Sequence, residues 1–151
     1  MDFPAEGEYN SSSAEETAHI AENLAARLGP GSIVTLTGRL GAGKTVFAAG
    51  FARALGISEQ VTSPSYTIIS EYEAVSGFTG SIPFYHMDCY RLSGDDDFRL
   101  AGGEDLLYGK GICLIEWPER LCLLPETVFA VTIDIMEDSR RKIRYQDRRH
   151  V

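Results

Sequence analysis

Residues 38–45 read Gly38-Arg39-Leu40-Gly41-Ala42-Gly43-Lys44-Thr45 and match the phosphate-binding pattern G-x-x-x-x-G-K-[ST]. The preceding residues, 32–37, are rich in β-branched side chains and predict a buried strand. The following residues, 45–55, predict a helix that ends at Gly56. A strand, a glycine-rich loop and a helix in this order are the setting in which the pattern binds phosphate, so the sequence predicts a nucleotide site.

The chemistry of this loop depends on its backbone and on two side chains. Glycines let successive N–H groups point inward, and the positive end of the helix dipole lies beneath them. We therefore expect nucleotide phosphates to contact the backbone from Gly38 to Val46. Lys44 adds a positive charge for the outer phosphates, and the Thr45 hydroxyl is placed to ligate Mg²⁺. The competing interpretation is a glycine-rich turn that only joins the strand to the helix.

Length and composition indicate one compact domain. The chain has 151 residues, 44% of them hydrophobic, which is enough for a proper core. We expect a single domain over residues 13–151, preceded by a flexible polar tail over residues 1–12. No apolar stretch approaches the roughly 20 residues of a membrane helix. Three cysteines in no metal-binding pattern, and no signal-peptide pattern, predict a cytoplasmic protein without membrane contact.

The net charge of −8 is unevenly distributed. Residues 140–151 carry a net charge of +5, and residues 1–139 carry −13. Because the acidic residues 1–139 repel a nucleic-acid backbone, we expect any function that involves RNA to be carried out through another protein. The basic segment is either a solvated terminal strand or a small RNA-facing patch, and base rates favour the strand.

The order of the remaining elements predicts an α/β domain with a mixed, mostly parallel sheet. Ser13 and Glu16 form a capping-box pattern that opens a first helix. Residues 66–72 and 82–88 predict a β-hairpin, and the apolar run 112–115 predicts a central strand buried on both faces. Two short helices are expected between residues 95 and 108, and two further strands over residues 128–136 and 140–145.

Two acidic residues follow predicted strands and are candidates for the catalytic site. Glu116 ends the strand 112–115, the position of a metal-binding acid beside the phosphate loop. Asp88 ends the second strand of the hairpin and could reach the metal or the attacking water. The alternatives are a carboxylate that caps the turn before Pro118, and an ion pair of Asp88 with Arg91. His86 alone is more typical of a structural histidine than of a base.

The loop 62–67 reads Thr62-Ser63-Pro64-Ser65-Tyr66-Thr67 and is dense in hydroxyl groups. It follows the phosphate-loop helix, where switch loops contact the γ-phosphate or Mg²⁺ in many hydrolases. A generic Ser-Pro turn explains the pattern equally well.

Four motifs in series resemble those of the TsaE family (also called YjeE), small bacterial ATPases needed for the threonylcarbamoyladenosine modification of tRNA. The resemblance covers residues 13–145. The motifs are Gly38 to Thr45, Val61-Thr62-Ser63-Pro64-Ser65-Tyr66-Thr67, Tyr85-His86-Met87-Asp88-Cys89-Tyr90-Arg91-Leu92 and Ile115-Glu116-Trp117-Pro118-Glu119.

The resemblance implies a P-loop NTPase fold and ATP hydrolysis in association with the TsaB and TsaD proteins, where TsaD modifies adenosine 37 of tRNA. It implies that Thr45 and Glu116 bind Mg²⁺, that Asp88 is essential to turnover, and that the Ser-Pro-Ser loop is a switch. Ser65 stands where the family usually has threonine, which keeps the hydroxyl. Base recognition is implied at residues 13–17, including Thr17, and at Ser139-Arg140.

Other nucleotide-binding classes fit less well. A translational GTPase needs an Asn-Lys-x-Asp motif and an ABC-type ATPase needs Leu-Ser-Gly-Gly, and the sequence contains neither. A small-molecule kinase remains an alternative, with Arg91, Arg99 and Arg120 as possible clamps, although no arginine-rich lid segment is present. A nucleotide-gated interaction module that hydrolyses little ATP is a further alternative.

Overall fold

A computed structural model describes residues 3–64, 67–75 and 80–149 of the chain. Within these residues the fold consists of seven strands and four α-helices, with a 3₁₀ turn at Pro118–Arg120. In chain order the elements are β1 Glu6–Ser11, α1 Ala14–Ala25, β2 Ile33–Thr37, α2 Lys44–Ala54, β3 Ile69–Ala74, β4 Ile82–Asp88, α3 Asp95–Leu100, α4 Gly103–Leu107, β5 Ile112–Glu116, β6 Phe129–Ile135 and β7 Arg141–Asp147.

All the described strands belong to one sheet, in the order β1-β7-β6-β2-β5-β4-β3. The central strands β6, β2, β5 and β4 pair in parallel. The outer pairs β1–β7, β6–β7 and β3–β4 are antiparallel, so parallel pairing is confined to the centre of the sheet. The predicted hairpin and the predicted central strand are both confirmed, since β3 pairs with β4 and β5 lies between β2 and β4.

Each face of the sheet has its own hydrophobic core. Helices α1 and α2 cover one face, where Phe47 and Phe51 of α2 pack on Phe84 and Leu114. The helices α3 and α4 cover part of the other face, around Phe98 and Leu107. Because successive side chains of a strand point to opposite faces, β5 is buried on both sides.

Helix α1 begins at the predicted capping box. The Ser13 hydroxyl accepts a hydrogen bond from the Glu16 N–H at 3.1 Å, and the Glu16 carboxylate accepts one from the Ser12 N–H at 2.9 Å. The helix packs closely on α2 because a Cβ on Gly50 would collide with the backbone of Ala18. This packing places the first turn of α1 beside the phosphate loop.

Two expectations from the sequence differ from the structure. Glu6–Ser11, predicted as part of a flexible tail, form the edge strand β1 instead, since β1 pairs with β7 over its whole length and Tyr9 stacks on Tyr145. The predicted strand over residues 66–72 is shifted to Ile69–Ala74, and Tyr66 lies outside the described residues. The first difference arises from pairing with β7, which is distant in the sequence, and the second from the register of the β3–β4 hairpin.

None of the helices in the described part of the chain is long and apolar enough to cross a membrane.

Candidate nucleotide-binding site

Residues 38–43 form an open loop between β2 and α2 at the carboxyl end of the parallel strands. Gly41 and Gly43 have positive φ angles of 82° and 105°, which side-chain-bearing residues rarely adopt. The loop leads directly into α2, whose first turn closes with the Phe47 N–H donating to the Gly43 carbonyl at 2.9 Å. Backbone N–H groups at such a helix start form a concave site that favours an anion.

The Lys44 side chain is buried and lies back on its own loop. It is 7% exposed, and its ammonium donates a hydrogen bond to the Gly38 carbonyl at 2.5 Å. Burial lowers the pKa of Lys44, and the negative charges of Glu116 and Asp88 oppose that shift. A cation thus lies beside the loop with two carboxylates near enough to influence it.

Trp117 covers this lysine. The Lys44 Nζ lies 3.9 Å from the centre of the Trp117 ring, within the range of a cation–π interaction. Trp117 directly follows β5 with a left-handed backbone (φ 57°), and its ring packs against Tyr90 at 4.8 Å between centroids. A left-handed backbone is strained for a bulky residue. The position of the indole therefore depends on the conformation of the chain directly after Glu116.

Sheet geometry brings the two predicted acids together with a histidine. Asp88 pairs in register with Glu116 across β4 and β5, and His86 lies two residues before Asp88. Since side chains two residues apart share a face, all three lie on the face covered by α2. His86 is fully buried and Glu116 is 2% exposed, and their Nε2 and Oε2 atoms are 2.6 Å apart.

Asp88 lies at the same edge of the sheet as Glu116, but its carboxylate has different hydrogen-bond partners. Its carboxylate accepts a hydrogen bond from the Tyr90 N–H at 3.0 Å. Burial raises the pKa of Asp88, and Glu116 raises it further, while the bond from Tyr90 lowers it. Among the ion pairs found in the described residues, none joins Asp88 to Arg91, so the structure offers no support for that alternative.

The hydroxyl of Thr45 is exposed at the start of α2 and lies 3.2 Å from the hydroxyl of Ser63. Ser63 belongs to the candidate switch loop, so this loop approaches the start of α2. Ser65 lies outside the described residues. A groove of about 710 Å³ opens beside these hydroxyls, with Asp88 and Arg91 in its wall.

A second cavity, of about 350 Å³, lies on the other side of the phosphate loop. Its walls include Thr17 of α1, Ala42 and Val46 of the loop and α2, and Ser139 of the β6–β7 turn. The Thr17 hydroxyl is hydrogen-bonded to that of Ser11 at 2.7 Å. Two of the regions expected to recognise the base therefore meet in one cavity.

Arg141, rather than its neighbour Arg140, lines this cavity. The guanidinium of Arg141 donates to the carbonyls of Ala42 at 3.0 Å and Gly41 at 3.2 Å, and also to the Ser139 carbonyl. Arg140 instead donates to the carboxylate of Asp138 at 2.6 Å on the surface. Arg141 thus joins β7 to the outer side of the phosphate loop.

Three contacts at the site were not predicted from the sequence. The pairing of His86 with Glu116 could have been anticipated from the two-residue spacing between His86 and Asp88, which places both side chains on one face of β4. The roles of Arg141 and Trp117 had no comparable signal, because each depends on a backbone turn with a positive φ angle.

Comparison with known proteins gives one consistent family. The model of the family described as "Threonylcarbamoyl adenosine biosynthesis protein TsaE" matches residues 11–143. A relative from Treponema pallidum, named tRNA threonylcarbamoyladenosine biosynthesis protein TsaE, is 40% identical over 88% of this chain and 95% of its own length. A relative of the same name from Bacillus subtilis is 42% identical over 87% of this chain and 79% of its own.

A solved structure agrees with these relatives. The crystal structure of Bacillus subtilis YdiB superposes with a TM-score of 0.74 at 34% identity, covering 97% of this chain and 88% of that one. Together with the loop, the sheet order and the four motifs, these similarities confirm the P-loop NTPase fold. The chain belongs to the TsaE family of threonylcarbamoyl adenosine biosynthesis proteins.

Proposed function

We propose that this protein is a Mg²⁺-dependent ATPase that acts with TsaB and TsaD in the threonylcarbamoyladenosine modification of tRNA. The observation that carries the proposal is the meeting of Lys44, Asp88 and Glu116 at one edge of the sheet, beside an open phosphate loop. Membership of the TsaE family supports the pathway. The nucleotide, the metal and the partners are part of the proposal.

The two cavities suggest how ATP lies on the protein. In this arrangement the base occupies the cavity between Thr17 and Arg141, and the phosphates follow the loop from Gly38 to Val46. The γ-phosphate then faces the groove beside Asp88 and the switch loop. The ammonium of Lys44 has three N–H donors, so it can turn from the Gly38 carbonyl toward a phosphate in the loop.

The residues present fit Mg²⁺ shared with a nucleotide. In the part of the chain that the structure describes, no three His, Cys, Asp or Glu side chains gather into a metal site. Mg²⁺ in phosphate-transfer sites is held by one or two protein oxygens together with phosphate oxygens and water. Thr45 and Glu116 offer such a small set of ligands. When bound, the metal neutralises charge that develops on the phosphates.

The remaining residues position and polarise the reactants. Lys44 supplies positive charge to the outer phosphates, and Asp88 lies where a carboxylate can orient the attacking water. Rates in such enzymes depend strongly on a further cation, often supplied by a partner and worth about 10³–10⁵-fold. We therefore expect slow turnover by the isolated protein and faster turnover with TsaB and TsaD.

Contact with tRNA is proposed to be indirect. Residues 1–139 carry a net charge of −13, which opposes association with a nucleic-acid backbone. The basic residues of β7 are partly neutralised, since Lys142 and Arg144 both pair with Glu8 of β1.

Phosphate release by the purified protein in Mg-ATP, with no acceptor added, tests the proposal. Release that rises on adding TsaB and TsaD supports a coupled ATPase. ATP binding without turnover in either condition would instead favour the nucleotide-gated interaction module. Release that requires a small-molecule acceptor would favour a kinase.

A further inference from the structure

His86 and Glu116 form a buried, hydrogen-bonded pair. Both side chains are almost fully inaccessible, and the Nε2–Oε2 distance is 2.6 Å. The other ring nitrogen of His86, Nδ1, is buried and has no hydrogen-bond partner among the described residues. The imidazole therefore directs its hydrogen bond at the carboxylate that we assign to Mg²⁺.

The sheet fixes this contact. His86 pairs in register with Leu114 across β4 and β5, so Glu116 is its diagonal neighbour on the same face. Phe84 and Leu114, on the same face, are both fully buried in the core beneath α2. The strand backbones thus hold the imidazole at a set distance from the carboxylate, with apolar packing on the side away from it.

The tautomer follows from the surroundings. A proton on Nδ1 would be a buried donor with no acceptor in the part of the chain that the structure describes, which is costly in an apolar core. With the proton on Nε2, the ring avoids that cost and donates to the Glu116 oxygen. This arrangement satisfies one oxygen of the carboxylate and leaves its remaining lone pairs for other partners.

We propose that His86 is a positioning residue that orients the carboxylate of Glu116 for Mg²⁺ bound with the nucleotide. The inference rests on the proposed function, because it concerns the same site. Hydrogen bonds from neighbouring residues commonly fix the orientation of metal-ligating carboxylates, and losing such a bond typically costs about 10–100-fold in metal affinity or activity.

Three substitutions of His86 separate positioning from packing. In His86→Gln the side-chain amide can place an N–H near the position of Nε2, so a donor to Glu116 is retained. In His86→Asn the amide is too short to reach, and in His86→Leu no donor exists. His19→Asn, a change at an exposed histidine of α1, is the control. Circular dichroism and the thermal midpoint show which variants are folded.

The readout is the gain in ATP affinity that Mg²⁺ provides, measured by calorimetry in Mg²⁺ and in EDTA. We expect the Asn and Leu variants to lose about 10-fold or more of this gain, while affinity in EDTA stays at the wild-type value. The Gln variant and the His19→Asn control should keep the gain. Polar and apolar replacements are both included so that a folding failure in one leaves the other to test.

The same substitutions are then made in a Glu116→Gln background. If His86 acts through the carboxylate, its removal has no further effect on the Mg²⁺ gain there, whereas a packing role lowers affinity equally in both backgrounds. Two results would overturn the positioning role. One is a folded Leu or Asn variant in which Mg²⁺ raises ATP affinity as much as in the wild type. The other is a Gln variant that loses as much of this Mg²⁺-dependent increase as the Leu and Asn variants do. Failure of the proposed function is distinct, because the wild-type protein would then show no Mg²⁺-dependent ATP binding.

Discussion

The ammonium of Lys44 lies 3.9 Å from the centre of the Trp117 ring while it donates to the Gly38 carbonyl at 2.5 Å. The cation assigned to the outer phosphates is thus held between its own loop and the residue that follows Glu116. Any ligand that draws Lys44 toward a phosphate has to change its contact with Trp117. This relationship links the phosphate loop to the acidic edge of the sheet.

Trp117 is the only tryptophan in the sequence, so its fluorescence reports this contact. We expect ATP to shift the emission of Trp117 as the Lys44 ammonium turns toward phosphate. The measurement is a fluorescence titration compared with calorimetry on the same protein. Lys44→Met lacks the cation, so its Trp117 emission without ATP should differ from that of the wild type, and the change in emission on adding ATP should be smaller. An emission that stays constant while calorimetry detects ATP binding would show that the lysine and the indole remain in contact.

Lys44→Ala is expected to weaken ATP binding. Removing a charge-assisted hydrogen bond to phosphate costs about 1.5–3 kcal/mol, which corresponds to roughly 10–150-fold in affinity. Calorimetry in Mg²⁺ measures the loss. Lys110→Ala, at an exposed lysine outside the site, is the matched control and should bind as the wild type does. Unchanged ATP affinity in Lys44→Ala would contradict the assignment of the phosphate site.

Arg141 and Arg140 provide a paired test of the cavity beside the phosphate loop. Because Arg141 holds the carbonyls of Gly41 and Ala42, Arg141→Ala should loosen the loop and weaken ATP binding by about 1.5–3 kcal/mol, the range for charged hydrogen bonds. Arg140→Ala removes only an exposed pair with Asp138 and should change affinity little. A larger loss in Arg140→Ala would restore the expectation drawn from the sequence, in which Arg140 contacts the base.

Glu116→Gln should separate hydrolysis from nucleotide binding. The amide keeps the shape of the side chain but removes the negative charge that favours Mg²⁺. We expect phosphate release to fall at least about tenfold, while ATP affinity in EDTA is unchanged. Glu126→Gln, at an exposed residue outside the proposed site, controls for the general loss of one negative charge. Wild-type hydrolysis by Glu116→Gln would remove this residue from the metal site.

Local sequence patterns were informative where a short-range rule determines the structure. The loop 38–45 requires glycines at positive φ angles, and both Gly41 and Gly43 adopt them. The apolar run before Glu116 predicts a strand buried on both faces, and β5 is such a strand. The limits of β1 and β3 were not predictable in this way, since β1 depends on pairing with β7, far along the chain, and β3 on the register of its hairpin with β4.

The sequence by itself determined the P-loop NTPase fold and the family, because the four motifs and their order lie within the chain. Only the tertiary structure decided which side chains meet. The pleat of β4 and β5 brings His86 onto Glu116, and the β6–β7 turn brings Arg141 to a loop that lies 99 residues earlier at Ala42. Contacts of this kind depend on how strands register and how the backbone turns, which no local pattern encodes.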